Sequence, residues 1–95
     1  MSELITAAVA ALKNRVNSFD AGTVKFALTG LGAIMVGPAG VWEGDEAADV
    51  TLTASPEVFE DILRGSLKPM TAFMSGKLAI DGPLSLAMQL GSKLA

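Results

Sequence analysis

The sequence predicts an α+β domain in which a five-stranded, mostly antiparallel sheet is covered on one face by helices. Hydrophobic residues recur at helical spacing in residues 2–19, and they alternate with polar residues at a period of two through much of residues 23–54. Helical spacing returns in three stretches after residue 55, with one short alternating stretch before the last of them. Because the helices come together late in the chain, an antiparallel sheet with helices on one face is favoured. Periodicity does not predict the order of the strands in the sheet.

The composition indicates one small apolar domain spanning residues 1–95. Hydrophobic residues make up 51% of the chain, and the mean hydropathy is +0.48. That is apolar for a small domain, in which such residues usually make up about 45–50% even with glycine counted. Five residues are methionines, whose flexible thioethers fill irregular spaces. Two outcomes remain open: a tightly packed core, which is the ordinary case, and a cavity of lipid size.

Charge and missing residue types exclude several function classes. The net charge of −3 provides no electrostatic footprint for nucleic acid. Without cysteine or histidine the chain lacks a thiolate nucleophile, a zinc-thiolate site and the usual general base. The acids and hydroxyls form no recognisable catalytic constellation, so we expect neither an enzyme nor a cofactor nor a metal site. No targeting segment is evident at the start, and we expect a cytoplasmic protein.

The first stretch predicts an amphipathic helix that packs on the sheet. Ser2 is expected to cap it, and polar residues such as Lys13 and Asn14 lie opposite its apolar stripe. The stripe consists of Leu4, Ile5, Ala8, Val9, Leu12, Val16 and Phe19. Because the polar face is not rich in lysine and arginine, packing on a sheet is favoured over binding to a membrane surface.

The next stretch predicts a three-stranded meander followed by a fourth strand. Glycines and one proline supply the turns between the strands. The predicted strands are residues 23–29, 33–37, 41–44 and 50–54. The acidic residues Asp45, Glu46 and Asp49 precede the fourth strand, but their spacing does not match a calcium-binding EF-hand loop. A solvated turn is the better interpretation.

Two short helices are predicted before the last strand. Ser55 and Pro56 are a strong helix start, and Gly65 is suited to end that helix in the left-handed conformation. Met70, Phe73 and Met74 share one face of the second helix, which we expect to end at Gly76. Residues 77–81 alternate and predict the fifth strand.

The final helix, predicted to begin at Pro83, has an unusually wide apolar face. At about 100° per residue its apolar arc covers roughly 200°, against roughly 100° for an ordinary surface helix. The arc consists of Leu84, Leu86, Ala87, Met88, Leu90, Gly91 and Leu94. Two interpretations follow: the helix is sunk deep in the core, or it covers a ligand space or docks on a partner.

Several segments resemble the sterol carrier protein type two (SCP-2) family of lipid-binding domains. The resemblance is carried by ADVTL at residues 48–52, GSLKP at 65–69, AFMSGKLAIDG at 72–82 and LAMQL at 86–90. It implies a five-stranded sheet covered by helices, with an apolar tunnel between the layers that accepts fatty acids, acyl-coenzyme A esters, phospholipids or sterols. We expect a stand-alone domain, without the enzyme domains to which some members of the family are fused. The resemblance also implies a binder and not a catalyst. Pro83 stands where members of the family often have an acid or amide after the glycine that corresponds to Gly82. This difference could alter the hinge of the last helix.

The residues and the resemblance together identify candidates for contact with a lipid. The candidates are Phe26, Phe59, Leu63, Met70, Phe73, Met74, Leu78, Ile80, Leu84, Met88 and Leu90. For each of them, ordinary core packing is an equal alternative. The sequence thus predicts non-enzymatic intracellular lipid binding or transfer, with a lipid or fatty acyl ligand. The alternative is an accessory module that presents its C-terminal helix to a lipid-modifying enzyme or to a second copy. Transient membrane contact and the oligomeric state are left open.

Overall fold

A computed structural model describes residues 3–94, with side chains from Ile5 onward. The described part forms helices and strands in the order predicted, which confirms the α+β class. The elements are α1 (Glu3–Arg15), β1 (Val24–Leu28), β2 (Gly32–Gly37), β3 (Gly40–Glu43), β4 (Val50–Ala54), α2 (Pro56–Arg64), α3 (Pro69–Met74), β5 (Leu78–Asp81) and α4 (Leu84–Leu94). The predicted N-cap of the first helix, Ser2, lies outside the described residues.

The five strands form one mixed sheet in the order β3-β2-β1-β4-β5. The predicted meander is confirmed, because β1, β2 and β3 pair antiparallel in succession. β4 then returns to the other side of β1 and pairs parallel to it, and β5 adds antiparallel to β4. Three of the four pairings are therefore antiparallel, and β3 and β5 are the two edges of the sheet.

The hydrophobic core lies between one face of this sheet and the helices. In β1 the side chains of Val24, Phe26 and Leu28 are buried on this face, since successive residues of a strand point to opposite sides. α1 packs over β2 and β3, whereas α3 and α4 pack over β5 and β4. The helices thus divide the covered face into two halves.

The first helix is shorter than predicted. It ends at Arg15, and the Val16 N–H still donates to the Leu12 carbonyl over 2.9 Å. The helical stripe therefore reaches Val16 but not Phe19, although both are buried. The Phe19 N–H instead donates to the carbonyl of Gly37, at the end of β2, over 3.0 Å. This bond holds the chain against the sheet and places the Phe19 ring in the core. The predicted contribution of Leu4 to the stripe lies outside the described side chains.

The ends of α2 and α3 confirm the predicted capping. The Ser55 hydroxyl accepts a hydrogen bond from the Val58 N–H over 3.2 Å at the start of α2. Gly65 and Gly76 both have a φ of +81°, and each follows the last turn of its helix. The Gly76 N–H donates to the Phe73 carbonyl, and the Lys77 N–H donates to the Ala72 carbonyl. This is the pattern of a Schellman motif. These compact endings let β5 begin two residues after Gly76.

The acidic turn before β4 does more than contact solvent. Met35, on the open face of the sheet, is only 1% exposed. The carboxylate of Asp45 pairs with the Lys25 ammonium at 2.9 Å, and that of Glu46 accepts from the Trp42 indole N–H at 2.9 Å. Lys25 and Trp42 are the residues that flank Met35 in the neighbouring strands. The turn therefore forms a strap that helps to cover the Met35 thioether.

Gly82 makes a close approach that the fold requires. It joins β5 to α4 with a φ of +131°, and a Cβ at this position would lie 2.7 Å from the Asp49 carbonyl oxygen and 2.9 Å from the Val50 Cα. Gly30 also has a positive φ, of +76°, but a Cβ there would meet nothing within 4 Å. Comparing Gly82 with Gly30 therefore separates the cost of backbone strain from the cost of steric overlap.

We expect Gly82→Ala to lower the free energy of unfolding by at least about 3 kcal/mol, because strain and overlap with β4 add. Gly30→Ala should cost about 1–2 kcal/mol, the strain alone. Chemical denaturation of both variants beside the wild type measures the difference. Equal losses would show that the β4 backbone moves aside for the added methyl group.

Candidate functional site

A cavity of about 350 Å³ lies between the sheet, α3 and α4. Its floor comes from the buried face of β1, β4 and β5, and its two walls come from the helices. The residues that line it are Phe26, Leu52, Ile62, Lys68, Pro69, Met70, Phe73, Leu78, Ile80, Ala87, Met88, Gly91, Ser92 and Leu94. Apart from Lys68 and Ser92, the lining is apolar.

Strand register aligns the floor of the cavity. Phe26 in β1 is opposite Leu52 in β4, and Leu52 is opposite Ile80 in β5. Residues at one level of neighbouring strands stand side by side on the same face. The row therefore runs from the middle of the sheet to its β5 edge. Phe59 of α2 supports the inner end, because its ring meets that of Phe26 edge-on at a centroid distance of 5.3 Å.

Small residues on α4 leave the space open. Ala87 and Gly91, four residues apart, share the helix face that lines the cavity. A Cβ at Gly91 would already lie 3.6 Å from the Pro69 ring, so α4 passes close to the start of α3. On the adjoining face Leu86 and Leu90 are buried in the core and do not line the cavity. Thus one face of α4 anchors the helix while the next one leaves room.

The cavity opens to solvent between α3 and α4. Phe73 and Met70 are each 36% exposed and Met88 is 50% exposed, although all three line the cavity. Lys68 and Ser92, the polar lining residues, are also exposed. No acidic residue lines the cavity, and among the described residues no ion pair to Lys68 is formed. The lining is therefore apolar at the mouth, with Lys68 as its one cation.

The structure brings six of the predicted site residues together around this cavity. They are Phe26, Met70, Phe73, Leu78, Ile80 and Met88. Contact of these residues with a lipid stays a prediction.

The other five predicted site residues do not line the cavity. Phe59, Leu63 and Leu90 are buried in the core, at 3%, 7% and 0% exposure. Met74 and Leu84 are 79% and 41% exposed and lie outside the lining. Large apolar residues therefore serve three different roles here, which helical spacing alone did not distinguish.

Sequence reasoning missed eight lining residues, of which five are small, polar or proline and three are large and apolar. They are Leu52, Ile62, Lys68, Pro69, Ala87, Gly91, Ser92 and Leu94. One signal was present in α4, where leucines at positions 86, 90 and 94 run beside small residues at 87 and 91. Such a pair of stripes indicates one face for packing and one face that leaves space.

The part of the chain that the structure describes contains neither a cluster of metal-binding side chains nor a membrane-spanning helix. Within residues 3–94 no group of three acidic side chains is placed to hold a metal ion. None of the helices described is long and apolar enough to cross a membrane. The cavity between α3 and α4 is thus the principal candidate site.

Comparison with known proteins connects this chain to one family. The model of the SCP-2 sterol transfer family matches residues 2–95. Rat hydroxysteroid dehydrogenase-like protein 2 is 36% identical over 88 residues, which are 93% of this chain but 16% of the rat protein. The chain therefore corresponds to a small part of that relative.

Solved structures share the fold at lower identity. Sterol carrier protein 2 like 2 of Aedes aegypti has a TM-score of 0.77 and 24% identity, with 94% of each chain covered. The solution structure of Aedes aegypti sterol carrier protein 2 in complex with palmitate also has a TM-score of 0.77 and 24% identity, covering 100% of this chain and 97% of the other. At this identity the likeness establishes the architecture of the sheet and helices.

The positions of Phe26 and Phe73 predict different costs of truncation. Loss of a packed phenylalanine usually costs about 3–5 kcal/mol, and we expect that for Phe26→Ala, because its ring is 3% exposed. We expect Phe73→Ala to cost less than half as much, since its ring already faces open space. Chemical denaturation without ligand measures both. A loss at Phe73 as large as that at Phe26 would show that Phe73 is ordinary core.

Proposed function

Because the chain belongs to the SCP-2 sterol transfer family, we propose that it binds and transfers a lipid whose acyl chain occupies the cavity between α3, α4 and the sheet. The observation that carries the proposal is the cavity itself, which has an apolar lining and an open mouth. The palmitate held by the Aedes aegypti sterol carrier protein supports a fatty acyl ligand for the same fold.

The size and lining of the cavity favour a single acyl chain. At about 350 Å³ it lies near the lower end of the roughly 300–1,000 Å³ typical of small-molecule sites. Each methylene removed from water contributes about 0.8 kcal/mol, so a long chain gains much of its affinity from burial alone. Methionines at the mouth can adjust to chains of different length, because their thioethers are flexible.

The polar end of the ligand belongs at Lys68 and Ser92. Both border the cavity at its exposed side, where a head group stays hydrated. The Lys68 ammonium has no acidic neighbour in the lining, so a carboxylate or phosphate head would meet an unopposed positive charge. We therefore assign the site to amphiphiles with one apolar chain and an anionic head.

The proposed role is binding, and no catalytic step is assigned to the cavity or its mouth. The lining contains one lysine and one serine with no acid beside them, which is no arrangement of nucleophile, base and orienting group. The dehydrogenase-like rat relative is about six times longer than the segment matched, so its name describes a much larger protein.

Filling the cavity tests the proposed function. We expect Ala87→Phe to weaken binding of a fluorescent fatty acid at least about tenfold, because the ring would occupy space that the acyl chain needs. Ala10→Phe, the same change at an exposed position of α1, should leave the affinity unchanged. Circular dichroism and denaturation confirm that both variants fold. Absence of saturable binding by the wild type, with no lipid in native mass spectra of purified protein, would overturn the proposal.

Charge removal at the mouth tests the orientation of the ligand. We expect Lys68→Met to weaken palmitate binding about three- to tenfold while leaving binding of the neutral palmityl alcohol unchanged, since only the acid has a charge to pair. Lys13→Met on α1 is the matched control, because Lys13 does not line the cavity. Equal losses for acid and alcohol would place the head group elsewhere.

A further inference from the structure

We propose that the inner end of the cavity limits the length of acyl chain that can be buried, so that longer chains gain no further affinity. The limit is set by two side chains, Phe26 of β1 and Ile62 of α2, which both line the cavity. We call this pair the end wall. The inference rests on the proposed function, because it concerns the same cavity and the same kind of ligand.

The end wall lies at the side of the cavity that is farthest from the mouth. Phe26 and Ile62 are 3% and 4% exposed, whereas Phe73 at the mouth is 36% exposed. From Phe26 in the middle strand, the floor passes through Leu52 to Ile80 at the edge of the sheet. This row covers two spacings between strands, about 10 Å. A chain that enters at the mouth and follows the floor therefore meets the end wall.

Packed side chains hold the end wall in place. The Phe59 ring meets the Phe26 ring edge-on, and Phe59 lies one helical turn before Ile62 on the buried face of α2. In β2, Ile34 stands beside Phe26 on the side away from the cavity and is 0% exposed. Moving the wall would force side chains into space that is already filled, and such overpacking is unfavourable. The inner end is therefore rigid, unlike the mouth with its flexible methionines.

The volume of the cavity predicts where the limit falls. A methylene group needs close to the volume of a water molecule in the liquid, about 30 Å³. The cavity of about 350 Å³ therefore accommodates about twelve methylenes. A longer chain would leave its remaining carbons at the mouth, where they stay in contact with water. We expect those carbons to add little to the affinity, because they are not removed from water.

Ile5 of α1 provides a matched control for Ile62. Its side chain is 0% exposed, and a Cβ placed at Gly32 would lie 3.5 Å from its terminal methyl carbon. Ile5 thus belongs to the packed half of the core beneath α1 and does not line the cavity. The same substitution at Ile5 removes the same atoms from the core without changing the end wall.

A series of saturated fatty acids tests the limit. Displacement of a fluorescent fatty acid by acids from octanoate to stearate measures the affinity of each for the wild-type protein. Each buried methylene contributes up to about fourfold in affinity, so the affinity should rise severalfold with each added pair of carbons up to about myristate. From myristate to stearate we expect a change of less than about twofold.

Substitutions in the end wall should move the limit to longer chains. In Ile62→Ala we expect the ratio of palmitate affinity to myristate affinity to rise at least about threefold, because the shortened side chain makes room for more methylenes. Ile62→Val removes one carbon with little risk to folding and should raise this ratio by less. Ile5→Ala and Ile5→Val should leave the ratio unchanged. Both acids are measured on the same variant, so a smaller folded fraction does not affect the ratio.

The outcomes separate this inference from the proposed function. An affinity that rises by the same factor through stearate would overturn the limit while leaving fatty acid binding in place. A ratio that is unchanged in both Ile62 variants, or that rises equally in the Ile5 variants, would overturn the assignment of the end wall. Absence of saturable binding for every acid in the series would instead overturn the proposed function.

Discussion

Burial of the leucine face of α4 is the interaction on which the cavity depends. Leu86 and Leu90 hold the helix in the core, while Ala87 and Gly91 beside them carry too little side chain to fill the adjacent space. Protein interiors are ordinarily packed to the density of organic crystals, so an open space persists only where its walls are fixed. The floor is fixed by the sheet, and the second wall by the tightly capped α3.

Much of the fold could be predicted because local patterns report local structure. Alternation identified the strands, and Ser55, Gly65 and Gly76 located the ends of helices. The parallel neighbour of β1 could not be predicted, because alternation reveals which face of a strand is buried and says nothing about its partners. The predicted end of α1 was wrong for a related reason. Phe19 continues the helical spacing, but a hydrogen bond to β2 determines its backbone conformation.

The candidate site was harder to predict than the fold, because a cavity is defined by what its lining lacks. Large apolar residues were chosen from the sequence, and some of them, such as Phe59 and Leu90, fill the core instead. Gly91 and Ala87 form part of a wall because they are small. Lys68 can be recognised as a candidate site residue only when its neighbours in space are known. The sequence alone does not reveal that it borders an apolar cavity with no acid in its lining.

The strap over Met35 has a consequence for chemical damage. The Met35 thioether is shielded on the open face of the sheet, whereas those of Met70, Met74 and Met88 are accessible to solvent around the mouth. Oxidants convert accessible methionines to sulfoxides, which are polar and fit poorly at an apolar surface. Oxidation would therefore alter the face formed by α3 and α4 before it disturbed the sheet. A methionine sulfoxide reductase could restore that face without refolding the protein.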